Sequence, residues 1–106
     1  MSIDKEWSNQ MQNEENILAV SRYFKILSDY NRLSILYLLK EQKHSVSEIV
    51  EALHLEQSAV SHQLKILRDS RLVKAERQGK SMIYELDDDH VFTILHQIVD
   101  HVQENE

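Results

Sequence analysis

Residues 45–86 read SVSEIVEALHLEQSAVSHQLKILRDSRLVKAERQGKSMIYEL, and the period of their apolar positions changes once. Ile49, Val50 and Leu53 mark a short helix over roughly 47–53. Ser45, with Glu48 three residues on, has the form of a capping box that opens it. The segment HLEQ turns the chain, and a second helix begins near Gln57 with Val60, Leu64 and Leu67 on one face. After Leu72 the pattern alternates, with Val73, Ala75 and Arg77 in one run and Met82, Tyr84 and Leu86 in the next. Gln78-Gly79 separates the runs, which predicts a β-hairpin with the chain's single glycine where a positive φ is needed. Two short helices joined by a tight turn and followed by a hairpin make a winged helix-turn-helix. The turn lacks the glycine usual in that motif.

Outward from this stretch, the reading stays mainly α with one small β-hairpin. The 106 residues suit a single domain, and the absence of proline favours long helices with tight connections. Ile17, Leu18, Val20, Tyr23, Phe24 and Leu27 follow helical spacing. Asp29 is a good N-cap for a second helix, whose dense Leu33, Ile35, Leu36, Leu38 and Leu39 predict burial on more than one side. The first fourteen residues are polar and are expected to fray or to extend the first helix. A final helix is expected from about Asp88 to Gln103.

Composition excludes several classes. With no cysteine, disulfides, thiolate nucleophiles and thiolate metal sites are all ruled out, so any metal must take nitrogen and oxygen ligands. No apolar run is long enough for a bilayer, and the N-terminus lacks a secretory pattern, so a cytoplasmic location is expected. The formal charge is −6, but it is unevenly spread. Between Gln57 and Met82 six basic residues stand against two acidic ones, a local +4, while the remainder has six against sixteen, or −10. A nucleic acid meets the local field.

Gln57, Ser58, Ser61, His62 and Lys65 crowd the first turns of the second motif helix. Residues at such a helix N-terminus reach base edges, and nearby hydroxyls and amines hold phosphates. Gln57 suits an adenine edge, Ser58 and Ser61 a base or a phosphate, and Lys65 the backbone. Arg77, Gln78 and Lys80 flank the hairpin tip, where a wing meets the minor groove or its phosphates. A polar surface helix and an ordinary polar hairpin tip explain each residue singly; jointly they favour DNA.

The run QSAVSHQLKILRDSRLVKAERQGKSMIYEL (57–86) resembles the DNA-binding core of the ArsR/SmtB family of bacterial metal-responsive repressors. FKILSDYNRLSILYLL (24–39) resembles that family's opening helices, and the likeness spans roughly residues 17–104. The resemblance implies a homodimeric winged helix that binds an inverted-repeat operator and is released by its inducer. Two departures stand out. Glu56 occupies a position where the family often has serine, and it is a poorer N-cap. The stretch SVSEIVEALHL carries no cysteine, which removes the family's thiolate site for arsenite, lead or mercury.

The C-terminal DDDHVFTILHQIVDHVQENE (87–106) mixes histidines and acids into an amphipathic helix. At ~100° per residue, His90 and His101 fall about 20° apart, and Glu104 lies about 40° to the other side of His90. Val91, Ile94, Leu95, Ile98, Val99 and Val102 occupy the adjoining arc, so the polar candidates line the rim of an apolar face. At ~1.5 Å rise His90 and His101 are about 16 Å apart along the axis, too far to share one ion whose ligand bonds are about 2 Å. An antiparallel second copy brings His90 of one chain to His101 of the other, twice about a two-fold axis. Asp88 before His90 and Glu104 after His101 complete an N₂O₂ set that suits zinc, with cobalt as its spectroscopic substitute. Asp88-x-His90, then His101 and Glu104, resembles the C-terminal-helix site of the family's zinc- and cobalt-responsive members. His96 points elsewhere and is expected at the surface; His44 and His54 are expected to be exposed loop residues.

The alternative within the same fold is a repressor answering to a non-metal signal, its terminal helix only dimerising. A zinc hydrolase is disfavoured because the four ligand positions are filled and no separate general base stands out. A protein-interaction or metal-buffering module without DNA is the third class, and a salt-dependent, sequence-specific DNA complex distinguishes it.

Overall fold

Side-chain caps set where the helices begin. The computed structural model describes residues 13–104. Asn13 precedes α1 (Glu14–Leu27), and its Oδ1 accepts from the amides of Glu15 and Asn16 at 2.9 and 3.4 Å. Of the polar start expected to fray or extend this helix, residues 1–12 lie outside the described residues, and Glu14 already belongs to α1. Asp29 caps α2 (Tyr30–Glu41) as expected, accepting from the Arg32 amide at 3.0 Å.

The predicted capping box is present on α3 (Val46–Leu53). Ser45 Oγ accepts from the Glu48 amide at 3.2 Å, and Glu48 Oε1 accepts from the Ser45 amide at 2.8 Å. Hydrogen bonding from Ser45, first its amide and then its side chain, holds the Glu48 carboxyl below the ordinary glutamate pKa. A lowered folded-state pKa stabilises the fold above the unfolded-state value and ceases to do so as pH falls through the folded one. Glu48→Gln is therefore expected to flatten the acid limb of thermal stability between those two values, read as melting temperature at stepped pH.

His54 ends α3 with a φ of +56°, so a histidine takes the left-handed position that glycine usually supplies. It is exposed, as expected. Recognition helix α4 (Gln57–Asp69) follows, and Glu56 ahead of it makes no side-chain capping bond. The expected hairpin is β2 (Val73–Gln78) and β3 (Ser81–Leu86), in register from Val73↔Leu86 to Gln78↔Ser81. Gly79 has φ +63°, and of the two loop residues it alone has a positive φ, the pattern of a II′ connection. A Cβ at Gly79 would meet nothing within 4 Å, so only backbone strain opposes a side chain there. Gly79→Ala is expected to destabilise the fold by about 1 kcal/mol, measurable by denaturant unfolding.

The sheet has a third strand that sequence patterning does not predict. β1 (His44–Ser45) pairs antiparallel with the other edge of β3, giving the order β1-β3-β2. His44 is consequently not the exposed loop residue its polar neighbours predict. It is 9% exposed, sits opposite Tyr84, and holds its Nδ1 2.7 Å from the Gln42 carbonyl oxygen. Pairing satisfies the backbone groups of the β3 edge and carries His44 inside with them.

The core joins Ile35, Leu36 and Leu39 of α2 to Ile49 of α3 and to Val60, Leu64 and Leu67 of α4. Leu72 and Val73 close it beneath the sheet, and Val91 and Leu95 enter it from α5 (Asp89–Glu104). By contrast α1 has no buried residue; Ile26 and Leu27 at its end pack half-buried on this core.

Candidate nucleic-acid interface and sensor helix

Burial of Val60, Leu64 and Leu67 fixes the rotation of α4, and its remaining sides follow. Gln57, Ser58, Ser61, His62 and Lys65 are all exposed, on the first turns, as the sequence pattern requires. The Lys65 ammonium pairs with Asp69 one turn on at 3.1 Å, with both groups in solvent. Such an exposed pair contributes little to stability and yields readily to a phosphate.

The wing tip presents Arg77, Gln78 and Lys80, all exposed. Lys74 faces Glu85 across the hairpin at 3.6 Å, so this pair braces the strands away from the tip. A cleft lined by Ser47, Gln57, Lys80 and Ser81 runs between the helix-turn-helix and the wing. The tip of the wing and the head of the recognition helix therefore share one polar surface.

The sensor candidates lie on α5. The helix begins at Asp89 rather than Asp88, because Asp88 caps it: its Oδ1 accepts from the His90 amide at 2.9 Å. The same oxygen is 3.3 Å from His90 Nδ1, so these two side chains adjoin. They stand at the rim of a groove that Tyr23, Arg71 and Ile94 also line. His101 and Glu104 are exposed in the last turn. Among the described residues no three His, Cys, Asp or Glu side chains gather in one protomer to hold a metal ion. His96 is a surface residue, stacked on Phe92 at 5.9 Å and 3.6 Å from Asp100.

The apolar arc of α5 divides in a way the helical wheel does not reveal. Val91 and Leu95 point into the chain's own core, whereas Ile94, Ile98 and Val102 are 45%, 46% and 51% exposed. Ile17, Leu18, Val20 and Phe24 of α1 are exposed to a similar degree, from 45% to 56%. Phe24, Leu27, Leu95 and Ile98 line one apolar cleft of about 230 Å³, which makes the two helix faces continuous. Helical spacing marks α1 as amphipathic but does not assign it to this outer surface.

A tri-helical core with an exposed polar recognition helix and a basic-tipped hairpin defines a winged helix-turn-helix DNA-binding protein. Comparison with known proteins gives the family. The profile of the arsR family of bacterial regulatory proteins matches residues 29–75. The transcriptional repressor SmtB homolog of Synechocystis is 39% identical over 87 residues, covering 82% of this chain and 66% of its own length. The HTH-type transcriptional regulator NmtR of Mycobacterium tuberculosis is 40% identical, covering 77% of this chain and 68% of its own. The solution structure of apo-NmtR superposes with a TM-score of 0.71 at 34% identity, covering 98% and 80% of the two chains. The CadC homolog of Staphylococcus aureus, a cadmium resistance regulatory protein, is 30% identical over 86% of this chain and 76% of its own length. The chain belongs to the ArsR/SmtB family of transcriptional repressors, a family of regulators and not of enzymes. It spans about two thirds of the length of the first two of these relatives. Among the described residues no helix is long and apolar enough to cross a membrane.

Proposed function

We propose that the chain is a homodimeric repressor that leaves its operator when zinc binds, derepressing genes for metal efflux or resistance. The outer faces of α1 and α5 pair with their copies about a two-fold axis. Two recognition helices then meet an operator of inverted-repeat symmetry. Gln57 faces a base edge, Ser58 and Ser61 a base or a phosphate, and Lys65 the backbone, with His62 beside them and the wing's Arg77, Gln78 and Lys80 at the minor groove or its phosphates; all are exposed.

Asp88 and His90 of one subunit, with His101 and Glu104 of the other, would hold the ion. The observation that carries this reading is the arrangement on α5. Asp88 and His90 adjoin at one end, and the exposed Ile94, Ile98 and Val102 run from there along the helix. His101 and Glu104 share that side of the helix at the other end, about 16 Å away. Only a second, antiparallel chain closes such a gap. The donor set fits the group, since two imidazoles and two carboxylates without thiolate suit zinc or cobalt. Bound zinc supplies a link between the terminal helices of the two subunits.

The test is operator affinity with and without saturating zinc, on a duplex the protein selects from random-sequence DNA. A fall in affinity is expected. Undiminished binding overturns the inducer model and leaves a repressor of this fold that answers to a non-metal signal.

A further inference from the structure

Apolar packing attaches α1 only weakly to the rest of the chain. None of its residues is buried, and its apolar face looks outward. Two polar links attach it to the recognition helix instead. The Tyr23 hydroxyl donates to the Ser70 carbonyl oxygen at 2.9 Å, across 47 residues of sequence. Arg32, in the first turn of α2, bridges two elements: Nε donates to Gln63 Oε1 at 2.7 Å and Nη1 to the Ile26 carbonyl oxygen at 3.3 Å. Gln63 lies midway along α4, and Ser70 is its C-terminal cap.

The angular placement of these anchors is informative. Seven residues make roughly 700°, so Gln63 and Ser70 lie within about 20° on one side of α4, about 10 Å apart along it. On the same wheel Gln57, Ser58, Ser61, His62 and Lys65 fall between about 120° and 260° from Gln63, on the opposite side. Core burial of Val60, Leu64 and Leu67 seats α4, and two polar anchors spaced along it add a restraint on its tilt against α1. From Ser70 to Gln57 the lever is about 20 Å, and a swing of roughly 10° moves its tip by about 3 Å. That is close to the ~3.4 Å step between stacked base pairs.

We propose that Tyr23 and Arg32 are positioning residues that set the direction of the recognition helix against α1, and thereby the half-site spacing a dimer accepts. The inference rests on the dimeric reading above but on no metal. Operator spacing is its direct readout, because two half-sites about one helical turn apart must both be met.

The test compares wild type, Tyr23→Phe and the double variant Tyr23→Phe/Arg32→Lys on three duplexes. These are the duplex wild type selects from a random pool and its derivatives with the central spacer one base pair longer or shorter. Phenylalanine keeps the ring and lysine the charge. At a net ~0.5–1.5 kcal/mol per hydrogen bond, the preference for the selected spacing is expected to fall roughly 3-fold in the single variant and roughly 10-fold in the double. Affinity for non-specific DNA stays unchanged. An unaltered spacing preference, with binding to all three duplexes reduced equally, overturns the proposal, since that is what lost folding alone produces. A wild type indifferent to spacing overturns the dimeric reading and this proposal together. A wild type that prefers one spacing, with variants that prefer it equally, overturns only the positioning role.

Discussion

His101→Ala is expected to leave operator affinity in the absence of metal unchanged and to remove the fall that saturating zinc causes. Coupling between an effector and DNA is typically ~1–3 kcal/mol, so the wild-type effect to be lost is roughly 5- to 150-fold. Linkage requires that operator DNA weaken zinc binding to the wild type by the same factor, which a zinc titration with and without duplex checks. His101 lies in the last turn of α5 and is none of the residues assigned to DNA on α4 and the wing. His96→Ala is the matched control. Its ring stacks on Phe92 and lies near Asp100, so the zinc response should survive its removal. Loss of the response in both variants would show that α5 as a whole, not the assigned ligands, carries the signal.

Ile98→Glu is expected to dissociate the dimer and to reduce operator affinity to the non-specific level, a loss of roughly 10³-fold or more. Ile98 is 46% exposed within one chain, so the substitution spares the core, and far-ultraviolet circular dichroism should stay unchanged. Ile98 lines a cleft with Phe24 and Leu95, and in the proposed dimer a carboxylate there would be desolvated without a partner. Sedimentation equilibrium reads the oligomeric state directly. A folded variant that remains dimeric would move the subunit interface away from α1 and α5.

Both predictions depend on features with different visibility in the sequence. The Ser45–Glu48 capping box, the Asp29 cap and the Gly79 hairpin were legible because each joins residues close in the chain and relies on a specific side-chain or backbone requirement. The exposed set on α4 was legible for a related reason, since the spacing of Val60, Leu64 and Leu67 fixes which residues face away. Asp88 was expected as the first residue of the final helix and proves to be its cap, a one-residue shift that places its carboxylate against His90. The burial of His44 was not legible, because a two-residue strand has no period to detect and exists only through its pairing with β3. Periodicity likewise treated the apolar arc of α5 as one face.

The sequence by itself determined the helix-turn-helix and its wing and the polar surface of the recognition helix, because local propensity and spacing agree throughout residues 45–86, while the family followed from the resemblance of residues 24–39 and 57–86. Tertiary structure alone decided the rest. It turned Val91 and Leu95 inward while leaving Ile94, Ile98 and Val102 outward beside α1. It also tied α1 to the recognition helix through Tyr23 and Arg32, at separations of 47 and, to Gln63, 31 residues. Helical periodicity gives the direction of a side chain from its own axis, but what that side chain meets depends on how the helices pack, and no single segment encodes that.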